Sequence, residues 1–185
     1  MILETIKNRR AVYPAQYNQD PISREEIESI LEAANWAPTH RRTEPWRFKV
    51  FHGPSQKKLG VFLSETYKKT TEKFSERSYN NLLNRPVEAG CVIAVCMQRD
   101  PENRVPEWEE LAAVSMAVQN MWLAASHLKI GSYLSTPAVV AHLDSFLNLQ
   151  DGERVLGLFY MGKYDGPLPE GSRNSPASEK TVWID

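Results

Sequence analysis

A chain of 185 residues, 42% hydrophobic and 24% charged, has the make-up of a folded globular protein rather than a disordered one. At this length folding buries about 70% of the unfolded chain's surface, enough for one domain spanning 1–185. Its 22 basic and 23 acidic side chains sum to −1, which gives no electrostatic reason to expect a nucleic-acid partner, and no apolar run approaches the ~20 residues of a membrane span.

Residues 2–10, ILETIKNRR, read as a short helix, too short and too charged for a secretory h-region. The cysteines, Cys91 and Cys96, lie five apart in a strand-like run and so point to opposite faces, where they cannot pair. Both features lead to the expectation of a reducing cytoplasm. Residues 21–37, PISREEIESILEAANWA, predict a strong helix: Ser23 and Glu26 form a capping box, and Ile27, Ile30, Leu31 and Ala34 share one face, with Pro38 as the stop. WRFKVFHG (46–53) alternates as a strand does. Residues 54–85 are polar and helical, and their middle, 64–81, is expected to be exposed and mobile. GCVIAVCMQ (90–98) has the continuous apolar character of a buried strand.

Residues 107–131 form a helix that is apolar nearly all round, with Gly131 as its expected C-cap, so it is either central or shared with a second subunit. TPAVVAHLDSFLNL (136–149) predicts a further helix with Pro137 near its first turn, and RVLGLFYMGKY (154–164) a further strand. Residues 165–185 are rich in proline, glycine and serine yet end in Val182, Trp183 and Ile184, the pattern of an extended C-terminal arm whose tip docks. The fold class is therefore α+β.

Few motifs carry chemistry. Gly157, Gly162 and Lys163 have P-loop spacing, but Tyr164 replaces the required hydroxyl residue, and a core strand with closely approached glycines explains them better. His40, His52, His127 and His142 have no metal-ligand spacing, and Ser64 and Ser115 lie in no nucleophile elbow. The unusual stretch is WAPTHRRTEPWRF, 36–48, in which His40, Arg41 and Arg42 sit between Trp36 and Trp46. A solvated loop does not need the tryptophans and a core does not tolerate the charges; the segment looks built to hold something flat, anionic, or both.

NRRAVY at 8–13, AANWAPTHRRTEPWRFKV at 33–50, VPEWEE at 105–110, LAASHLKIGSYLSTP at 123–137, VLGLFYMGKY at 155–164 and an arm bearing Arg173 follow one another in an order that resembles the nitroreductase family of FMN-dependent oxidoreductases. The likeness is closest to its small single-domain bacterial branch, whose helix–strand junction reads AP-x-H. The resemblance implies a central, mostly antiparallel sheet flanked by helices, in an intertwined homodimer with two flavins at the subunit interface. It implies that Arg9, Arg10 and Ala11 hold the FMN phosphate and ribityl chain, with Ala11 standing where the family usually has serine and Tyr13 where a basic residue often stands. It implies that Trp36 and Pro38 wall the other subunit's flavin and that Thr39 and His40 reach its polar edge, with Arg42 and Glu44 replacing an asparagine and a glutamine. Leu134, Ser135 and Thr136 would pack under the isoalloxazine, and Arg173 would meet the phosphate. The implied activity takes hydride from NADH or NADPH and reduces a small electron-poor acceptor, a nitroaromatic or quinone, by two-step turnover. The alternatives are a non-catalytic flavin-binding module or another flavin reaction on the same fold.

Overall fold

The computed structural model describes residues 2–184. Four strands form one antiparallel sheet in the order β1-β2-β4-β3: β1 is Trp46–Phe51, β2 Cys91–Gln98, β3 Ile130–Ser135 and β4 Glu153–Lys163. The period-two alternation of β2 splits the core in two. Cys91, Ile93, Val95 and Met97 face one buried cluster, and Val92, Ala94 and Cys96 face the other. The two thiols therefore lie on opposite faces, free and buried, as their spacing predicts.

On the first face lie α2, Arg24–Asn35, and the long α5, Glu107–His127. The α2 capping box forms as expected: the Ser23 hydroxyl accepts from the Glu26 N–H, and the Glu26 carboxylate from the Ser23 N–H. Ile27, Ile30 and Ala34 are buried against the Ala113, Val114, Ala117 and Met121 face of α5. On the second face an antiparallel pair, α3 (Pro54–Thr70) and α4 (Glu76–Glu88), packs so closely that a Cβ at Gly60 would lie 2.2 Å from the Leu83 carbonyl oxygen. The short α1 spans Ile2–Asn8.

Two local expectations, the 107–131 helix capped at Gly131 and the 136–149 helix, are corrected, and two other segments gain detail. β3 stands where a helix end was expected: α5 ends at His127 with Leu128 as its C-cap, Lys129 takes the left-handed conformation (φ 56°), and Gly131 lies inside a strand. Gly131 is needed there because the Val12 side chain would come within 2.8 Å of any Cβ. Residues 136–149 are a 3-10 turn, Ala138–His142, followed by a one-turn helix α6, Asp144–Leu147, rather than one helix. The middle of the polar region is pinned by its own aromatics: Tyr67, Phe74 and Tyr79 cluster at 6.0 Å, and the Tyr67 hydroxyl donates to the Lys73 carbonyl and accepts from the Ser75 N–H. The tip of the C-terminal segment does not dock on its own chain, since Val182, Trp183 and Ile184 are 85–94% exposed.

The glycines of β4 are closely approached. A Cβ at Gly162 would lie 2.2 Å from the Tyr17 ring, and one at Gly157 would meet Leu134, Ser135 and Thr136 at 3.1 Å. No P-loop geometry is present, because these residues are strand throughout.

Candidate functional site

The end of α1 makes a cluster of cations. Arg9 lies over the Trp122 ring, 4.6 Å from its centroid, and the Trp122 Nε1–H donates to the Arg10 carbonyl at 3.3 Å. Burial first, then Arg173 and then Arg10, lower the Arg9 pKa, which places the three guanidiniums in one field. None of the three forms an ion pair with a carboxylate among the described residues. Glu170 shares with Arg10 and Arg173 the lining of a hollow of about 520 Å³ without reaching either.

Arg10 uses three of its five N–H donors on main-chain carbonyls: Nη1 on Lys7 (2.7 Å) and Arg9 (2.9 Å), and Nε on Pro169 (2.8 Å). It thus closes the helix end, as a cation there is expected to do, and fastens the C-terminal segment beside it. That segment passes close over the guanidinium at Gly171, where a Cβ would lie 2.5 Å from it. Among the described residues both Nη2 donors remain free. Three guanidiniums without a carboxylate could hold an oxyanion, whose negative charge would offset their mutual repulsion.

Ala11 and Ser132 form a parallel bridge, and the Val12 N–H donates to the Ser132 carbonyl at 3.1 Å, which fixes the arginine pair against β3. From Trp122 an apolar groove of about 380 Å³ runs along α5, lined by Leu111, Val114, Val118, Leu134 and Leu156. Gly157 lets the end of β3 settle at this wall, so Leu134, Ser135 and Thr136 stand beside the groove. A cationic head and an apolar slot are therefore contiguous, a shape suited to a flat ring on a phosphorylated chain.

Trp36, Thr39 and His40 are not part of this assembly. Thr39 and His40 lie near the other end of α5, where the His40 Nδ1 and a Glu109 carboxylate oxygen are 2.6 Å apart, and Trp36 stands at the end of α2 with its Nε1–H donating to Glu32 at 2.8 Å. Thirteen helical steps lead from Glu109 to Trp122, about 20 Å. Thr39, His40, Trp108, Ala112 and Met116 line a second, shallower hollow of about 250 Å³. One chain therefore brings Arg9, Arg10, Ala11 and Arg173 close to Trp122, whose groove Leu134 lines, with Ser135 and Thr136 following along the Gly157 strand, and places Thr39 and His40 toward the other end of α5.

The loop that carries His40 is strained. Arg41 (φ 51°), Arg42 (φ 54°) and Glu44 (φ 42°) all occupy the left-handed region, at a cost on the order of 1–3 kcal/mol each for a side chain other than glycine. The Thr39 hydroxyl holds the turn, 3.0 Å from the Thr43 hydroxyl and accepting from the Glu44 N–H at 3.3 Å. Arg47 donates to the Glu44 carbonyl at 2.9 Å.

Reasoning from residues alone missed Trp122 and Glu109. Trp122 was legible only as one apolar residue of a long helix; its partners in the fold, Arg9 and Arg10, lie at the other end of the sequence. Among the described residues no helix is long and apolar enough to cross a membrane, and no group of three or more side chains has metal-ligand geometry.

Comparison with known proteins identifies relatives of the whole chain. A family model described as the nitroreductase family matches residues 6–163. "Putative NAD(P)H nitroreductase YfhC" of Bacillus subtilis (strain 168) is 27% identical over 184 residues, covering 97% of this chain and 92% of its own. The crystal structure of a nitroreductase-like family protein from Bacillus cereus superposes with a TM-score of 0.85 at 26% identity, over 100% of this chain and 96% of that one. A Desulfovibrio desulfuricans protein solved in complex with FMN gives a TM-score of 0.74 at 25% identity, again over 100% of this chain and 96% of the other.

Proposed function

The chain belongs to the nitroreductase family, and from that membership we propose that it is a single-domain, FMN-dependent NAD(P)H oxidoreductase that reduces small electron-poor acceptors. The observation that carries this reading is the contiguity of three guanidiniums lacking a carboxylate, Arg9, Arg10 and Arg173, with the apolar groove that Trp122 and Leu134 line. FMN supplies hydride chemistry when bound, taking reducing equivalents from a nicotinamide and passing them on.

The protein's part is to hold and expose it. Arg9, the Nη2 donors of Arg10, and Arg173 would hold the phosphate; the Ala11 backbone would substitute for the hydroxyl this chain lacks; Leu134, Ser135 and Thr136 would support the ring. Trp36, Pro38, Thr39 and His40 complete the site of a second copy. Two observations support that arrangement. The loop lies about 20 Å along α5 from the cation cluster of its own chain. The first half of α5 also leaves Trp108, Leu111 and Met116 between 40% and 67% exposed, an apolar stripe that a second copy would cover. No protein residue needs to act as nucleophile or general acid, which accounts for the missing triad.

The test is direct. Purified protein should be yellow or take up FMN stoichiometrically; NAD(P)H without acceptor should bleach it, and a nitroaromatic or quinone added after the nicotinamide is removed should restore the colour. A colourless protein that takes up no FMN would leave the non-catalytic reading instead. Nicotinamide and acceptor are expected to use one open face in turn, so steady-state plots should run parallel.

A further inference from the structure

The strained loop at the start of β1 has a role that phosphate binding and flavin support do not explain. Two arginines in succession adopt the left-handed conformation there, where asparagine or glycine sits far more easily. Both are exposed, and neither makes a hydrogen bond or ion pair through its side chain among the described residues. The nearby carboxylates are engaged elsewhere: Glu32 accepts from the Trp36 Nε1–H at 2.8 Å, and Glu109 is held by His40. Even with Glu44 counted against them, the loop keeps a net positive charge. An arginine needed only for solubility has no reason to stand on strained backbone, while a fork that must face one direction does.

We propose that Arg41 and Arg42 form an oxyanion-recognising rim that selects co-substrates carrying a carboxylate or phosphate. The inference rests on the proposed oxidoreductase reading and names a substrate class for it. Exposed Trp108 lines the hollow behind the loop as a flat apolar surface, so the matching ligand carries a flat ring with an acidic group beside it. Two sources carry that chemistry, an acidic acceptor and the 2′-phosphate of NADPH.

Matched pairs separate them. Binding to the yellow protein is measured by calorimetry for NADP+ against NAD+, and for p-nitrobenzoate against p-nitrobenzamide, alongside kcat/KM for the corresponding nicotinamides and acceptors. The anionic member of at least one pair should be preferred, by about tenfold to hundredfold, the range of one charge-assisted bond. R41Q/R42Q should bring that ratio towards one, R41K/R42K should keep part of it, and raising salt from about 0.05 M to 0.5 M should erode it in the unmodified protein. The pair that responds identifies the source. A ratio near one in a yellow, NAD(P)H-bleached protein, or a ratio unchanged in R41Q/R42Q, overturns the rim alone. A protein that takes up no FMN overturns the functional reading and the rim with it.

Discussion

Replacing Arg9 by alanine separates a binding role from a structural one. In the free protein the change removes a cation–π contact at 4.6 Å, worth about 0.5–1 kcal/mol at a partly exposed site. It also relieves repulsion from Arg173 and Arg10, the two charges that lower the Arg9 pKa beside burial. Like charges several ångströms apart in water-rich surroundings repel by less than about 1 kcal/mol, so the two effects largely cancel. Apoprotein stability should therefore change by under about 1 kcal/mol, a Tm shift within about 2–4 °C for a chain of this size. FMN binding has no such compensation. Losing one charge-assisted bond to phosphate removes about 1.5–3 kcal/mol, or about 10- to 150-fold in Kd. Flavin fluorescence titration of the apoprotein measures the second quantity and a thermal melt the first. A Kd within about threefold of the unmodified protein would show that Arg9 does not meet the phosphate. A melt lowered by more than about 10 °C would show that it is a structural pin.

Gly162→Ala should destabilise the fold by about 1–3 kcal/mol or more, read as a lower Tm, because its Cβ would enter the Tyr17 ring, whose hydroxyl is already bonded to the Val12 carbonyl. Asp100 is held down at about 2 by the hydrogen bond from the Arg104 side chain, against 3.8 for the free group. A depressed carboxylate contributes stability above its unfolded pKa and loses it as pH falls, so denaturant midpoints should drop between about pH 4 and 2, and drop less in D100N. Sedimentation should find a dimer at micromolar concentration; a folded monomer that keeps FMN would refute the second-copy role of residues 36–44.

Local signals in the sequence were reliable where one element decided its own fate. The α2 cap depends on Ser23 and Glu26, three residues apart, and the burial of β2 on its own unbroken apolar run. β3 escaped because IGSYLS shows no alternation of its own; the Val12 contact and the pairing with β4 make it a strand. The 136–149 segment carries enough apolar residues for a helix, but Val139, Val140 and Leu143 are drawn separately into the core, and Asn148 in the left-handed region ends what remains. At the candidate site, the arginine pair and the His40 loop were legible from residue type and their resemblance to a family pattern. Trp122 was not, since the groups it organises are 112 residues away in sequence.

The distance along α5 between the His40 loop and the arginine cluster has a genetic consequence. If each site draws one half from each copy, a chain damaged in residues 36–44 and a chain damaged at Arg9 are both inactive when produced alone. Co-produced, they assemble mixed pairs in which one site carries both lesions and the other carries none. Two dead alleles should then restore up to about half the activity of each mixed pair. A protein whose sites lie within single chains could not show that rescue.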